Sequence, residues 1–308
     1  MSLLYSILKP IVKTVVKGSS LHKEESYEEF KQASYDIQRK FKFFLPKIKG
    51  FEFRDEMMDG FHVIVGKKTG TKPNRAVVYF PGGGSRRWQL PYRGSIRNYI
   101  EGTGAELWIP LYPLLPDYDL MDETEFTIRL HEKMLKRFPA ENIVWLGISG
   151  GADVLMQAGR HMVKKYPELP MPGLMLPVSV SGLLMSEDAK MRMRGIDSRD
   201  PILHWDMFET MVKYYNPNGD LPQYILGKAD EDDYTGFPKI IMYFGGDEVF
   251  AGIAPDYEKS FIRCGVKDYE IKIKEGMPHA YPVFTFLKEG REGEREIIAD
   301  INRYFESR

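Results

Sequence analysis

Gly147-Ile148-Ser149-Gly150-Gly151 follows directly on the apolar run Ile143-Val144-Trp145-Leu146. A serine at such a strand-to-helix junction sits on a sharp turn that pushes its hydroxyl out of the sheet edge. The flanking glycines remove side chains that would block the approach of strand and helix. A serine hydroxyl is a weak nucleophile at neutral pH. It needs a base, an anion to orient that base, and N–H donors for the oxyanion formed on attack. His279, in Gly276-Met277-Pro278-His279, stands in a loop after the last strand candidate and is the candidate base. His22, His62, His131, His161 and His204 fall on helices, early strands or an insert. Asp247 and Glu248, in Gly245-Gly246-Asp247-Glu248, follow another apolar strand, and either could hold the imidazole. Gly82-Gly83-Gly84 and the amide of Gly150 are the candidate oxyanion donors. A phosphate-binding reading of the glycine run lacks both the closing lysine-hydroxyl pair and the dinucleotide glycine spacing.

These groups can meet only if several strands end at one edge. Apolar runs at 76–80, 107–109, 143–146, 174–178, 240–244 and 269–273 alternate with helical patterns near 93–102, 123–138, 152–166 and 295–305. Short apolar strands between amphipathic helices predict an α/β fold with a mostly parallel sheet covered on both faces. Earlier strand candidates at 51–57 and 61–65 flank the turn signal Asp59-Gly60. Residues 1–48 read as helical, with 24–42 rich in helix formers. Residues 185–235 break the alternation with a long polar and aromatic stretch. Helices inserted there would lie over the strand ends, where open α/β sheets bind ligands. The expectation is one domain over 1–308, with cap elements at approximately 1–48 and 185–235.

The bulk properties narrow the function classes. A chain of 308 residues with 43% hydrophobic residues can bury a large core. Its formal net charge of −1 offers no broad field for nucleic acid or anionic membranes. Cys264 is the sole cysteine, which excludes an intramolecular disulfide and a thiolate metal cluster. Lys9, Pro10 and Lys13 interrupt the apolar N-terminus, so no signal peptide is read there. No run approaches the roughly 18 uncharged residues of a membrane span. The chain is therefore expected to be cytoplasmic, without stable membrane insertion. Leu4, Leu8, Ile11, Val12 and Val15 recur at helical spacing, with Lys9, Lys13 and Lys17 on or near the other side. This predicts an amphipathic helix packed on its own domain, with loose contact at a membrane surface as the alternative.

Taken together, these residues resemble the hormone-sensitive-lipase-like branch of the α/β-hydrolases, which includes bacterial acetyl esterases and carboxylesterases. The similarity covers roughly 70–308. Pro81-Gly82-Gly83-Gly84 sits at the family's H-G-G-G loop, and Tyr112-Pro113-Leu114-Leu115-Pro116-Asp117 looks like its Y-R-L-A-P-E segment. Gly147 to Gly151 matches its G-D-S-A-G elbow. Asp200-Pro201-Ile202 through Tyr215 looks like its cap helix, and Gly276 to His279 matches its G-M-P-H loop. The resemblance implies Ser149 as nucleophile and His279 as base. It implies Glu248 rather than Asp247 as acid, because Glu248-Val249-Phe250 fits the family's E-V-L form. It also implies the amides of Gly83, Gly84 and Gly150 as oxyanion donors. The implied activity is hydrolysis of small carboxylic esters through an acyl-enzyme, with no metal or organic cofactor and with a homodimer through the sheet edge allowed. The alternatives are a ligand-binding member without turnover, and an amidase or peptidase using the same triad. Three positions depart from the pattern. Pro81 replaces a histidine, so other groups must supply the hydrogen bonds that shape the glycine loop. Ile148 replaces an acidic residue and Gly150 an alanine.

Overall fold

The computed structural model describes residues 2–14 and 26–308. Val15, Lys17 and Glu24, expected in helices, lie outside these residues. The strands are β1 (Phe51–Asp55), β2 (Val63–Lys68), β3 (Ala76–Phe80), β4 (Glu106–Pro110), β5 (Ile143–Ile148), β6 (Leu174–Val178), β7 (Lys239–Gly245) and β8 (Tyr269–Lys274). They form one sheet in the order β1-β2-β4-β3-β5-β6-β7-β8. The pairs β1/β2 and β2/β4 are antiparallel, and every later pair is parallel. The first pair turns at Asp59-Gly60, closed by a bridge between Met58 and Phe61. The fold is an α/β-hydrolase fold, as expected.

The helices are α1 (Leu3–Val12), α2 (Tyr27–Gln38), α3 (Arg93–Thr103), α4 (Leu120–Leu135), α5 (Gly150–Lys165), α6 (Glu187–Asp197), α7 (Met207–Tyr215), α8 (Gln223–Leu226), α9 (Ala254–Arg263) and α10 (Lys288–Glu306). Alternate strand residues serve opposite layers. Val78, Phe80, Trp145 and Met242 pack with Phe126, Leu155 and Phe261 of α4, α5 and α9. Val77, Tyr79, Leu146 and Tyr243 pack with Ile100, Ile297 and Ile301 of α3 and α10. Burial on both faces is why the central strands read as unbroken apolar runs rather than as alternation.

The N-terminal region differs from expectation. α2 starts with a capping box between Ser26 and Glu29 and ends at Gln38, and residues 41–48 are not helical. Pro46 cannot continue a helix. Phe43 instead stacks on His62 with ring centroids 3.7 Å apart, and Leu45 and Ile48 lean on the sheet core. α1 packs through Tyr5 and Leu8 against Met277, Tyr281 and Leu287. Leu4 and Ile11, expected on the packed side, are about half exposed. Rotated in this way, α1 brings Lys9 onto Asp247. The closing helix begins at Lys288, earlier than the pattern at 295–305 suggested.

The register aligns the C-terminal ends of the strands: Phe80 pairs with Gly147, Ile148 with Val178, and Gly245 with Lys274. The junction after β5 is tight. A Cβ on Gly151 would lie 2.2 Å from the Phe80 carbonyl oxygen. Gly94, in the first turn of α3, faces open space. Gly151→Ala should therefore lower stability by about 1–3 kcal/mol through overpacking. Gly94→Ala should raise it by up to about 1 kcal/mol through helix propensity. Urea denaturation midpoints of the two variants check the opposite signs.

Candidate active site

The loops that leave this edge carry the chemistry. Ser149, after β5, has φ +54° and ψ −124°, a conformation that costs a non-glycine residue of order 1–3 kcal/mol. Its N–H donates to the Val178 carbonyl at 2.8 Å, and its own carbonyl caps the start of α5 by accepting from Ala152 and Asp153. These bonds hold the turn, and the hydroxyl opens into a cavity. His279, after β8, brings Nε2 to 2.8 Å from Ser149 Oγ. Its Nδ1 lies 2.7 Å from Glu248 Oε2, with Nδ1–H donating to the carboxylate. The imidazole also meets Phe250 edge-on, with centroids 5.1 Å apart.

Glu248, after β7, is fully buried. Burial pushes its carboxyl up from its ordinary value, and the hydrogen bond and charge of His279 oppose that push. Its Oε1 accepts from the Ser179 hydroxyl and from the Gly245 N–H, each at 2.8 Å. The neighbouring Asp247 turns the other way, to Lys9 and to Arg199 at 3.7 Å. The two adjacent carboxylates are thus separated by tertiary contacts: Glu248 meets the imidazole and Asp247 meets two cations.

Gly83 and Gly84 have φ values of +131° and +59°, and both line the cavity beside Ser149 and Gly150. A Cβ on Gly150 would lie 2.7 Å from the Gly84 nitrogen, so the alanine that the resemblance leads one to expect at this position would crowd the loop. Among the described residues, no protein acceptor takes the N–H of Gly83, Gly84 or Gly150. The loop is shaped by groups that stand in for the absent histidine. Tyr112 donates its hydroxyl to the Pro81 carbonyl at 2.6 Å, and Tyr215 of α7 donates to the Gly84 carbonyl. Gln89 N–H reaches the Gly82 carbonyl at 2.8 Å, and the Ser85 hydroxyl reaches Glu123 at 2.9 Å.

Several supporting residues escaped the sequence reading. Ser179 accepts from the Ala280 N–H at 2.9 Å while donating to Glu248, and so ties the acid loop to the histidine loop. Its place just after β6 was the available signal. Asp200, fully buried, accepts from the N–H groups of Ile202 and Leu203 and from Val249 N–H at 2.8 Å. It thereby anchors the 185–235 insert to the residue next to Glu248. Glu123 is fully buried on α4, with Oε1 unpartnered among the described residues. Burial drives its carboxyl well above the ordinary range. Nothing in the spacing of α4 marks it, since an inward position on an amphipathic helix is normally apolar.

The cavity has a volume of about 530 Å³, within the range of small-molecule sites. Its roof comes from Val12 of α1, Phe30 and Ile37 of α2, and Met207, Met211 and Tyr214 of α7. Of the insert, residues 202–215 reach the cavity, whereas α8 packs on α5. Among the described residues, no group of three or more His, Cys, Asp or Glu side chains is placed to hold a metal ion. None of the described helices is long and apolar enough to cross a membrane.

The family described as alpha/beta hydrolase fold matches residues 77–283. No curated protein matches the chain. Among solved structures, an esterase/lipase from an uncultured bacterium superposes with TM-score 0.79 at 17% identity, over 99% of both chains. The esterase EstE5, soaked with p-nitrophenyl butyrate, gives 0.79 at 16% identity over 99% of both. An esterase from the bacterial hormone-sensitive lipase family gives 0.75 at 16% identity over 99% of both.

Two expected outcomes test the supports of the site. Ser179→Ala leaves the Ala280 N–H and Glu248 Oε1 each short of a partner, and should cost about 1–3 kcal/mol in urea denaturation. For Glu123, the folded pKa lies above the unfolded one, so its contribution to stability is full below the ordinary carboxylate value of about 4.3. That contribution is lost as pH rises toward the folded value. Glu123→Gln removes this titration. The stability of the variant relative to the parent should therefore climb with pH above about 4.3, and parallel pH profiles would refute the assignment.

Proposed function

The chain belongs to the alpha/beta hydrolase fold family, and we propose that it is a serine hydrolase of small carboxylic esters. The observation that carries this reading is the unbroken hydrogen-bonded chain Ser149 Oγ, His279 Nε2, His279 Nδ1 and Glu248 Oε2, with bonds of 2.8 and 2.7 Å, open to a covered cavity. His279 Nε2 takes the Ser149 proton as Oγ attacks the ester carbonyl carbon. The carbonyl oxygen gains negative charge, and the N–H groups of Gly83, Gly84 and Gly150, which line the cavity beside Ser149, are the donors that receive it in this reading. Such preorganised donors need no rearrangement as the charge develops. The imidazolium is stabilised by Glu248, whose other oxygen is held by Ser179 and Gly245. His279 then returns the proton to the departing alcohol, leaving an acyl-Ser149. Water, deprotonated by the same imidazole, releases the acid and restores the hydroxyl. The similarity to structures named as esterases supports the substrate class, and the roof over the cavity favours small soluble esters over lipid aggregates.

A fluorophosphonate probe should label Ser149. Ser149→Ala should lower p-nitrophenyl acetate turnover by roughly 10⁴-fold or more. Glu248→Gln should lower kcat by roughly 10²–10⁴-fold, whereas Asp247→Asn should keep kcat within about an order of magnitude of the parent. Turnover surviving in Ser149→Ala would defeat the reading. A greater loss in Asp247→Asn than in Glu248→Gln would reassign the acid.

A further inference from the structure

The cavity contains a second polar cluster that ester cleavage itself does not use. It lies where β3 faces α3 and α10. Glu294 of α10 is 2% exposed and lines the cavity. Its Oε2 accepts from Asn98 Nδ2 at 2.7 Å. Its Oε1 has no hydrogen-bond partner among the described residues, yet it is not sealed off from the cavity as the fully enclosed orphan groups are. Tyr79, Tyr99 and Ser95 line the same space, each at most 5% exposed. None of their hydroxyls has a partner among the described residues either. The rings of Tyr79 and Tyr99 lie 5.7 Å apart. Burial, reinforced by the negative charge of Glu294, holds both phenols protonated, well above their ordinary range.

A buried carboxylate normally has its lone pairs satisfied. Here one oxygen is bonded and the other is left without a partner among the described residues, on a side chain that lines a mostly apolar chamber together with O–H donors. A few polar groups converging in an apolar cavity are what fixes the orientation of a ligand and its chemical class. A hydroxyl can accept from a phenol and donate to a carboxylate at once.

We propose that this chamber is a specificity subsite for a hydroxyl group carried on the ester substrate. Tyr79 or Tyr99 donates to the hydroxyl oxygen, and the hydroxyl proton is directed to Glu294 Oε1. The inference rests on the proposed ester hydrolysis and narrows its substrates from small esters to hydroxylated ones. Glu294 is then a binding residue that discriminates between substrates.

The test uses two matched pairs on the full chain: p-nitrophenyl hexanoate against its ω-hydroxy analogue, and hexyl acetate against the monoacetate of hexanediol. In one pair, kcat/KM should favour the hydroxylated ester by roughly 10- to 100-fold, because a site built to bond a hydroxyl leaves its own groups unpaired when the hydroxyl is missing. Glu294→Leu should abolish that preference, lowering kcat/KM for the hydroxylated ester far more than for the unsubstituted one. Glu294→Gln keeps an acceptor and should retain part of the preference, which also guards against a folding defect. A merely structural Asn98–Glu294 contact would change stability and all four esters alike. The absence of hydroxyl preference in both pairs, or an unchanged preference in Glu294→Leu, overturns the proposal. Calorimetric titration of Ser149→Ala with the same esters reads the preference as affinity, so failure of the subsite and failure of the hydrolase reading remain separate results.

Discussion

One buried carboxylate joins the loops on which the site depends. Glu248 receives the imidazole of the loop after β8, the hydroxyl of the residue after β6, and a backbone N–H from the end of its own strand. Removing a carboxylate from water is expensive unless its oxygens find donors. Here three donors offset that cost, and each enters from a different direction. The same bonds that make the burial tolerable also prevent the imidazole from rotating away from Ser149. Stability and alignment therefore rest on the same contacts, and Ser179 carries the arrangement further by holding Ala280, the residue after the histidine.

The second constraint is the crowding around the glycine loop. Gly84 and Gly150 approach so closely that a side chain on Gly150 is excluded by contact rather than by preference. A loop this close to the nucleophile cannot be left to fluctuate. Its carbonyls are tied by Tyr112 beneath and by Tyr215 from α7 above. The tie to α7 links the insert to the loop, and Asp200 links the same insert to the acid loop. Cap and site are thus parts of one hydrogen-bonded assembly. The cavity roof is coupled to the groups beneath it through bonds as well as through packing.

The N-terminal helix completes the enclosure. Ser2 bonds Glu289, Tyr5 packs on the residues flanking His279, and Lys9 holds Asp247 away from the imidazole. The partly exposed Lys9 ion pair adds little energy in itself. Its consequence is directional, because it gives the second carboxylate of the Asp247-Glu248 pair a partner outside the site. Between this roof and the sheet lies the chamber of Glu294, Tyr79 and Tyr99, whose polar groups form a second polar cluster in a mostly apolar wall.

The fold was legible because its signals are local. Apolar strand runs, the turn at Asp59-Gly60 and the glycine-flanked Ser149 follow from burial on two faces and from steric limits within a few residues. Chain order further placed Ser149, His279 and a carboxylate at the ends of different strands. Local pattern could not choose between Asp247 and Glu248, since adjacent acids differ only in what later packs against them; the family resemblance favoured Glu248, and the tertiary contacts brought it to the imidazole. Nor could local pattern reveal Ser179, Glu123, Glu294 or the bond from Val249 to Asp200, since these partners lie tens to hundreds of positions apart in the chain. It misjudged residues 41–48, where Pro46 cannot continue a helix and Phe43 stacks on His62. The sequence by itself determined which backbone segments could form strands and which residue could occupy the strained turn. Only the tertiary structure decided which buried polar groups face each other, because the energy of such a group is set by its donors and acceptors in space rather than by its neighbours along the chain.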